Sequence, residues 1–450
     1  MALAELLSRV AAELALFAGV GFLLFAVNDL LVDCIFFARR GWRAITVYSR
    51  YPRAFASQLP PSEAPGLMAI LVPAWDESAV IASMLKATLQ RLDYPNYRIF
   101  VGHYRNDPAT AAAIANVLDP RVEAVEVQAD GPTTKAYDAL IAHELASGQA
   151  VKAIVLHDAE DLVHPLELRT FDRLIDRAAV IQLPVLPLVD AGSRWIGGHY
   201  CDEFAEAHIK ELVVREAVGA SIPLAGVGCA IAREALSKLA LLHDGKPFAG
   251  TSMTEDYEVG LRLGALGLKT MFVRIPARAG ERGVVASRGH FPATLGTAVR
   301  QKARWLGGIA LAGWDRLGWS GGIGERWMRM RDRRGPLAAL LLVAAYLAAL
   351  LWSQIWLAER LGAPIDAQLD PVLVGLLTVN GWLLAWRIFM RAAFTTSAYG
   401  LSEGLLSIPR LVVGNVIAML AAARAVSLHL GGGAKRWDKT RHTFPAGVVQ

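Results

Sequence analysis

The chain has 450 residues, of which 54% are hydrophobic and 19% are charged, a balance that favours a soluble domain joined to membrane segments over an ordinary soluble enzyme. Its three cysteines form no CxxC pair, which argues against a disulfide framework and a zinc site. The net charge is +5, and the basic clusters lie beside apolar runs, as on the cytoplasmic flanks of membrane helices, so we expect no nucleic-acid binding.

The first predicted element is a membrane helix in the N-terminal segment 1–50. Its apolar run, residues 14–37, is long enough to span a bilayer, and Arg39 and Arg40 follow it directly. We therefore expect the helix to enter from outside and to end in the cytoplasm. A cleaved signal peptide is the alternative, but a basic leader is missing and the run is too long. Asp29 and Asp33 share a face that we expect to look into a helix bundle.

Strand and helix patterns alternate after a proline-rich linker that ends near residue 65. Apolar strands are predicted at residues 67–72, 98–102, 122–127 and 153–156, with helices near 78–92, 109–118 and 134–147 between them. A further strand at 179–185, a helix at 201–218 and a loop with a strand at 224–233 follow. The alternation predicts an α/β fold with a doubly wound, mostly parallel sheet. Ligands of such sheets bind outside the carboxyl ends of the strands.

Acidic or amide side chains follow three of these predicted strands. They are Asp76 and Glu77, then Asn106 and Asp107, then Asp158, Glu160 and Asp161. Carboxylates this close raise each other's pKa unless a cation lies among them, and a hard divalent cation prefers their oxygens. A solvated acidic turn would explain the third cluster equally well by itself. Three such strand ends together favour a binding site.

Two further segments carry polar side chains in a pattern. Thr254 can cap a helix whose first turn holds Glu255 and Asp256, and capping alone would explain those acids. A helix predicted at residues 297–313 places Gln301, Arg304 and Trp305 on one face. A GxG at residues 226–228 lacks the third glycine of a dinucleotide-binding fingerprint, so we expect close backbone packing there.

The C-terminal part is predicted to lie in and on the membrane. Interface helices are expected at residues 297–336, and apolar helices at 337–357 and 371–389 are long enough to span it. The segment 409–428 is short and flanked by Arg410 and Arg424. We expect an interfacial or re-entrant helix within the membrane part, 337–430, because a spanning one would place the basic tail, residues 431–450, outside the cytoplasm.

Six motifs occur in order along the chain. They are PAWDE (73–77), YRND (104–107), Lys135 in TTKAYDAL, HDAED (157–161), TED (254–256) and QKARW (301–305). This set resembles the membrane-bound family 2 glycosyltransferases, the group of cellulose, chitin and hyaluronan synthases, and within it the inner-membrane module of the phage-adsorption protein B type. The resemblance implies a cytoplasmic GT-A type glycosyltransferase domain over residues 60–296.

The resemblance also implies roles for these residues. Asp256 would be the catalytic base, and Glu255 and Trp305 would bind the acceptor. Mg²⁺ or Mn²⁺ would be held by Asp158 with Glu160 or Asp161. The nucleotide-sugar donor would contact Pro73, Glu77, Asp107, Lys135, Asp158, Gln301 and Arg304. Two motifs depart from the family pattern: Glu160 stands where a second Asp is usual, and Asp76 where Asn is usual.

The expected function is inverting transfer of a hexosyl or N-acetylhexosaminyl group from a nucleotide sugar, UDP-linked by resemblance, to a growing polysaccharide or oligosaccharide. It would occur at the cytoplasmic face of the bacterial inner membrane, with the N-terminus periplasmic and with periplasmic or outer-membrane export partners. Single transfer to a lipid-linked acceptor is an alternative. A catalytically idle scaffold or phage receptor is another, although a scaffold need not keep the carboxylates and the QxxRW motif.

Overall fold

The computed structural model describes residues 2–131, 133, 136–243, 245–248, 252–281, 283–362, 369–432 and 443–445. Within them, seven strands form one sheet of order β3-β2-β1-β4-β6-β5-β7. The strands are β1 (Leu67–Pro73), β2 (Tyr97–Tyr104), β3 (Val122–Val127), β4 (Val151–Leu156), β5 (Val180–Gln182), β6 (Cys229–Ala232) and β7 (Thr270–Phe272).

The predicted doubly wound, mostly parallel sheet is confirmed. Strand β1 pairs in parallel with β2 on one side and with β4 on the other, whereas β6 runs antiparallel to β4 and β5. Strand β7, which has three residues, escaped prediction. The chain runs from β1 through β2 to β3 on one side of β1, and β4 then pairs with β1 on its other side. Because the strand order reverses here, a crevice opens between the carboxyl ends of β1 and β4, where ligands of such folds bind.

Fifteen α-helices are described. The first eleven are α1 (Ala2–Thr46), which is the N-terminal apolar helix, α2 (Ile81–Arg91), α3 (Pro108–Ala115), α4 (Ala136–Ala146), α5 (Glu167–Leu174), α6 (Ile196–Glu206), α7 (Leu212–Ala217), α8 (Arg233–Leu241), α9 (Glu255–Ala265), α10 (Leu295–Leu306) and α11 (Gly313–Leu317). The remaining four are α12 (Ile323–Arg333), α13 (Gly335–Arg360), α14 (Pro371–Tyr399) and α15 (Leu401–Leu430). Two π-helical turns, Ala207–Glu211 and Gly307–Ala312, join α6 to α7 and α10 to α11.

The sheet is covered on both faces, which explains the nearly continuous apolar run of β1. Met68, Ile70 and Val72 belong to the core on one face, and Ala69 and Leu71 belong to the core on the other. All five are at most 1% exposed. Strands buried on both faces lose the polar alternation of a half-exposed strand, as parallel sheets between helix layers do.

Four described helices are long and apolar enough to cross a membrane: α1, α13, α14 and α15. Helix α1, predicted over residues 14–37, has 45 residues, more than twice the roughly 20 that a bilayer requires. Its end reaches the helices beside the sheet, where Arg39 donates to the Val213 carbonyl and to Glu216. Helix α14, predicted over residues 371–389, likewise extends beyond the predicted span to Tyr399.

The last helix, α15, corrects the boundary predicted at residue 409, because Pro409 lies inside the helix and not at its start. One face, with Glu403, Arg410 and Ile417, is at most 5% exposed and packs along α6 and α10. The other face exposes an apolar stripe that includes Leu405 and Val412. The length of α15 permits it to span a membrane. Its contact along α6 and α10 is instead typical of a helix that lies against the folded domain.

An ionic network joins the membrane helices to the catalytic part. Asp29 of α1 pairs with Arg331 at 2.9 Å and with Arg334 at 2.8 Å, and Asp33 accepts from Lys210 at 2.6 Å. The two aspartates therefore face a bundle of helices and not lipid, as their spacing predicted. Charges this deeply buried persist only when paired, so the network holds the two parts in register.

Candidate active site

A cavity of about 350 Å³ lies at the carboxyl ends of β1 and β4. Four segments that are far apart in the sequence line it. Their lining residues include Pro73, Trp75 and Glu77; Asp158, Glu160 and Asp161; Thr254, Glu255 and Asp256; and Gln301, Arg304 and Trp305. The structure therefore brings together most of the residues that the sequence singled out.

The segment after β1 turns sharply at Asp76. Its φ of 54° is positive, which no other described non-glycine residue shows. Asp and Asn tolerate this left-handed conformation better than other residues with a side chain, so Asp76 fits the position that its motif gives it. The turn brings Trp75 and Glu77 to the cavity wall.

Asp107, which the resemblance assigns to the donor, makes hydrogen bonds with the backbone beside the cavity. Its carboxylate accepts the N–H of Asp76 and, at 3.2 Å, the N–H of Thr110, which makes it the N-cap of α3. Thr110 in turn accepts the N–H of Glu77 at 2.9 Å. Asp107 is 8% exposed and is not among the described residues that line the cavity. It stabilises the turn that presents Glu77.

The turn after β4 is stabilised by a buried imidazole. His157 contacts Asp161 through Nδ1 at 3.0 Å and Glu167 through Nε2 at 2.6 Å. Burial opposes its charge, but the two carboxylates raise the pKa of His157 to about 10, so the ring donates from both nitrogens. Asp161 also accepts the N–H of Asp158 at 3.0 Å. Asp161 thus closes the turn that presents Asp158 to the cavity.

Glu255 and Asp256 begin α9 at the cavity. Burial raises the pKa of both carboxyls above the usual range, and for Glu255 the charge of Asp256 adds to the rise, while Arg304 opposes it for both. The predicted cap is wrong: Thr254 occupies the N-cap position, but its side chain accepts no capping hydrogen bond. It packs instead against Gly308, where a Cβ would lie 2.5 Å from Thr254 Oγ1.

The loop before β6 packs closely against Asp256. A Cβ on Gly226, whose φ is +77°, would lie 2.5 Å from Asp256 Oδ2. The side chain of Gln182 fixes this loop: it accepts the Ala225 N–H at 2.8 Å and donates to the Val227 carbonyl at 2.9 Å. The GxG pattern predicted close packing here, but nothing in the sequence pointed to Gln182, which lies in an apolar strand 44 positions before Gly226.

The predicted face of α10 carries three cavity residues, Gln301, Arg304 and Trp305. Trp305 belongs to an aromatic cluster, in which its ring lies 6.3 Å from that of Phe204 and 6.5 Å from that of Phe291. Both of these phenylalanines also line the cavity. The cavity therefore has a carboxylate-rich end and an aromatic wall. Sequence reasoning found Trp305 and missed the two phenylalanines, which no motif marks.

Two further predicted features are the donor contact of Lys135 and the metal site. Lys135, expected to contact the donor, lies outside the described residues, as does most of the basic tail. Among the described residues there is no group of three or more His, Cys, Asp or Glu side chains arranged to hold a metal ion by themselves. His290, which belongs to no recognised motif, also lines the cavity.

Comparisons with known proteins agree with this geometry. A family profile described as "Glycosyltransferase like family 2" matches residues 65–308. The chain is 37% identical, over 93% of its length, to bacteriophage adsorption protein B of Escherichia coli K12 and equally to bacteriophage N4 adsorption protein B of Escherichia coli O157:H7. It spans 60% of the length of each of these relatives.

One solved structure has a similar fold. It is the mannosyltransferase PcManGT from Pyrobaculum calidifontis in complex with GDP-Man and Mn²⁺, which aligns with a TM-score of 0.52 at 15% sequence identity. The alignment covers 91% of this chain and 99% of that one. At this identity the likeness concerns the fold, and it extends over both the sheet and the helices that follow it.

Proposed function

The chain belongs to the glycosyltransferase-like family 2, and on this premise we propose that it transfers a sugar, with inversion, from a nucleotide sugar to a growing glycan. The donor is a UDP sugar carrying a hexosyl or N-acetylhexosaminyl group. The reaction takes place at the cytoplasmic face of the bacterial inner membrane, with the N-terminus of α1 in the periplasm. The product passes to periplasmic or outer-membrane export partners.

One observation carries this proposal: four separated motifs converge on one cavity whose lining includes both carboxylates and aromatic side chains. A nucleotide sugar has a charged diphosphate and a sugar ring with apolar faces, so it requires both kinds of surface. Arg304 supplies a guanidinium that can grip phosphate oxygens with two parallel hydrogen bonds. A scaffold without activity has no need for this arrangement.

The residues present fit a divalent cation that is shared between protein and substrate. Asp158 and Glu160 both reach the cavity, and Mg²⁺ is commonly held by one or two carboxylates together with substrate phosphates. Asp158 together with Glu160 or Asp161 would hold the cation, and Asp161 also accepts hydrogen bonds from His157 and from the Asp158 N–H. When bound, Mg²⁺ or Mn²⁺ supplies positive charge against the diphosphate leaving group.

Asp256 acts on the acceptor. The acceptor hydroxyl oxygen attacks the anomeric carbon, the bond from that carbon to the diphosphate oxygen breaks, and the nucleoside diphosphate leaves with the electron pair. Asp256 accepts the hydroxyl proton. Its raised pKa brings the carboxylate closer in basicity to the operating pH, where proton transfer by a positioned base is most effective. Glu255 and Trp305 hold the acceptor sugar beside it.

The test is an incubation of the purified, detergent-solubilised chain with a panel of nucleotide sugars, with Mg²⁺, Mn²⁺ or chelator. We expect nucleoside diphosphate release with a UDP sugar, a requirement for the metal, and products that lengthen with time. A single fixed addition to an extractable lipid would instead support the lipid-acceptor alternative. Absence of release with every donor would contradict the proposal and favour a scaffold.

A further inference from the structure

His208 lies on the π-helical turn Ala207–Glu211, at the aromatic end of the cavity. Single π-helical turns inside α-helices are frequent at functional sites. The imidazole is stacked on Phe204, with ring centroids 5.3 Å apart and planes inclined by 4°. It is 6% exposed, so its position is fixed by packing.

The hydrogen bonding of His208 defines its tautomer. Nδ1 accepts the backbone N–H of Val185 at 3.2 Å, so in the neutral ring the proton is on Nε2. Burial lowers the pKa of His208 to about 3, which agrees with a neutral imidazole. The described residues supply Nε2 with no hydrogen-bond acceptor, and the ring is part of the cavity lining.

His208 lies between two adjoining cavities. A second cavity, of about 300 Å³, adjoins the first and shares four wall residues with it: His208, Leu224, Ala225 and Tyr257. Tyr257 directly follows Asp256, and Leu224 and Ala225 begin the loop that packs against Asp256. His208 therefore stands at the end of the aromatic wall, on the side of the proposed base.

We propose that His208 is a specificity-determining residue of the acceptor site, whose Nε2–H donates a hydrogen bond to a hydroxyl of a glycan acceptor stacked on the wall formed by Trp305, Phe204 and Phe291. This inference rests on the proposed function. A sugar ring placed on aromatic side chains presents its hydroxyls at the ring edge, where the fixed Nε2–H can donate only to an accepting atom such as a hydroxyl oxygen. The role is one of binding, because the proton stays on His208.

Two substitutions at His208 distinguish the roles of its two ring nitrogens. His208→Asn keeps an oxygen near the position of Nδ1, so the Val185 N–H retains an acceptor while the Nε2 donor is lost. His208→Gln reaches the position of Nε2 with an amide N–H but leaves the Val185 N–H without a partner. The probes are tetrasaccharides of β-linked glucose and of β-linked N-acetylglucosamine, titrated into the solubilised full chain in the presence of uridine diphosphate.

We expect His208→Asn to weaken binding of the tetrasaccharide by about tenfold, the effect of one lost hydrogen bond, with a smaller loss of Tm than in His208→Gln and with unchanged affinity for uridine diphosphate. His208→Gln should lower Tm and keep the tetrasaccharide affinity within about threefold of the wild-type value. A histidine with a purely structural role would not lose tetrasaccharide affinity mainly in one variant and Tm mainly in the other.

Three results would overturn the assignment. They are wild-type tetrasaccharide affinity in His208→Asn, an equal loss of Tm in both variants with no selective loss of binding, and failure of the wild-type chain to bind either tetrasaccharide. The proposed function is judged separately, by nucleoside diphosphate release from the donor panel. Release without tetrasaccharide binding would reject the glycan acceptor at His208 and leave the transferase in place.

Discussion

Gly226 gives the most direct test of how Asp256 is positioned. It lies in the loop before β6 with a φ of +77°, and a methyl group added there would lie 2.5 Å from Asp256 Oδ2. Gly226→Ala therefore changes two things: it strains the backbone, and it pushes the proposed base. Gly219 offers a matched control, because its φ is +72° and a Cβ there would meet no atom within 4 Å.

The size of the effect follows from these distances. Ordinary van der Waals contact begins at 3.4 Å, so Asp256 Oδ2 must move by about 0.9 Å to accommodate the methyl group. Misplacement of a catalytic group by about 1 Å can cost roughly 10²-fold in rate. The left-handed backbone costs alanine about 1–2 kcal/mol in either variant. We thus expect similar destabilisation in both, and loss of turnover in Gly226→Ala alone.

The assay measures kcat for sugar transfer, affinity for uridine diphosphate and Tm for the wild type and both variants. Gly226→Ala should lose about two orders of magnitude in kcat with nearly unchanged nucleotide affinity, while Gly219→Ala should stay within about twofold of the wild-type kcat. Wild-type turnover in Gly226→Ala would refute the assignment of Asp256 as the base. Equal losses in the two variants would trace the effect to backbone strain.

Four further predictions follow from the site and the membrane helices. Asp256→Asn should reduce transfer by roughly 10²-fold or more while donor affinity, measured by titration calorimetry, stays close to wild type; near-normal turnover would make the acid structural. Arg304→Met removes a positive charge that lowers the pKa of Asp256, so the acid limb of the kcat profile should move to higher pH, because the base must lose its proton; an unmoved limb would separate Arg304 from Asp256. Asp158→Ala should abolish the metal-dependent part of uridine diphosphate binding, whereas Asp161→Asn, which keeps the size of the side chain, should weaken it less and lower Tm more; the reverse order would make Asp161 the ligand. A cysteine introduced at position 431 should react with a membrane-impermeant reagent only from the cytoplasmic side, and labelling from the periplasm would show that α15 spans the membrane.

The fold could be predicted because its elements carry strong local patterns. Strand β1 is apolar at six successive positions, and the next three strands and their helices follow at regular spacing. The helix ends in the membrane part could not be predicted as well. Hydropathy marks the stretch that contacts lipid, whereas the last turns of α14 and the first turns of α15 contact protein, where Arg391 and Glu403 are buried beside other charges.

The site could be predicted only where it is built from short motifs. Asp158, Asp256 and Arg304 were found by their types and order, and all three line the cavity. Asp107 is an acid of the same type, and it caps α3. An acid before a helix can bind a ligand or the backbone, and the local sequence does not distinguish these two roles. Gln182 was missed because its side chain fixes the loop through contacts with residues 225–228, which are distant in the sequence.

Helix α9, which carries the proposed base, is attached to helices that precede α13, and this affects which residues form the catalytic unit. Tyr257 donates to Asp332 of α12 at 2.6 Å, and Arg215 donates to the same carboxylate at 2.9 Å and 2.8 Å. On its other side, Thr254 packs against Gly308, in the π-helical turn that follows the QxxRW helix. The predicted catalytic domain, residues 60–296, contains Asp158 and both acids of α9 but ends before these contacts and before the aromatic wall is complete. Because α12 leads directly into α13, the position of the proposed base depends on a helix that continues into one long and apolar enough to cross a membrane.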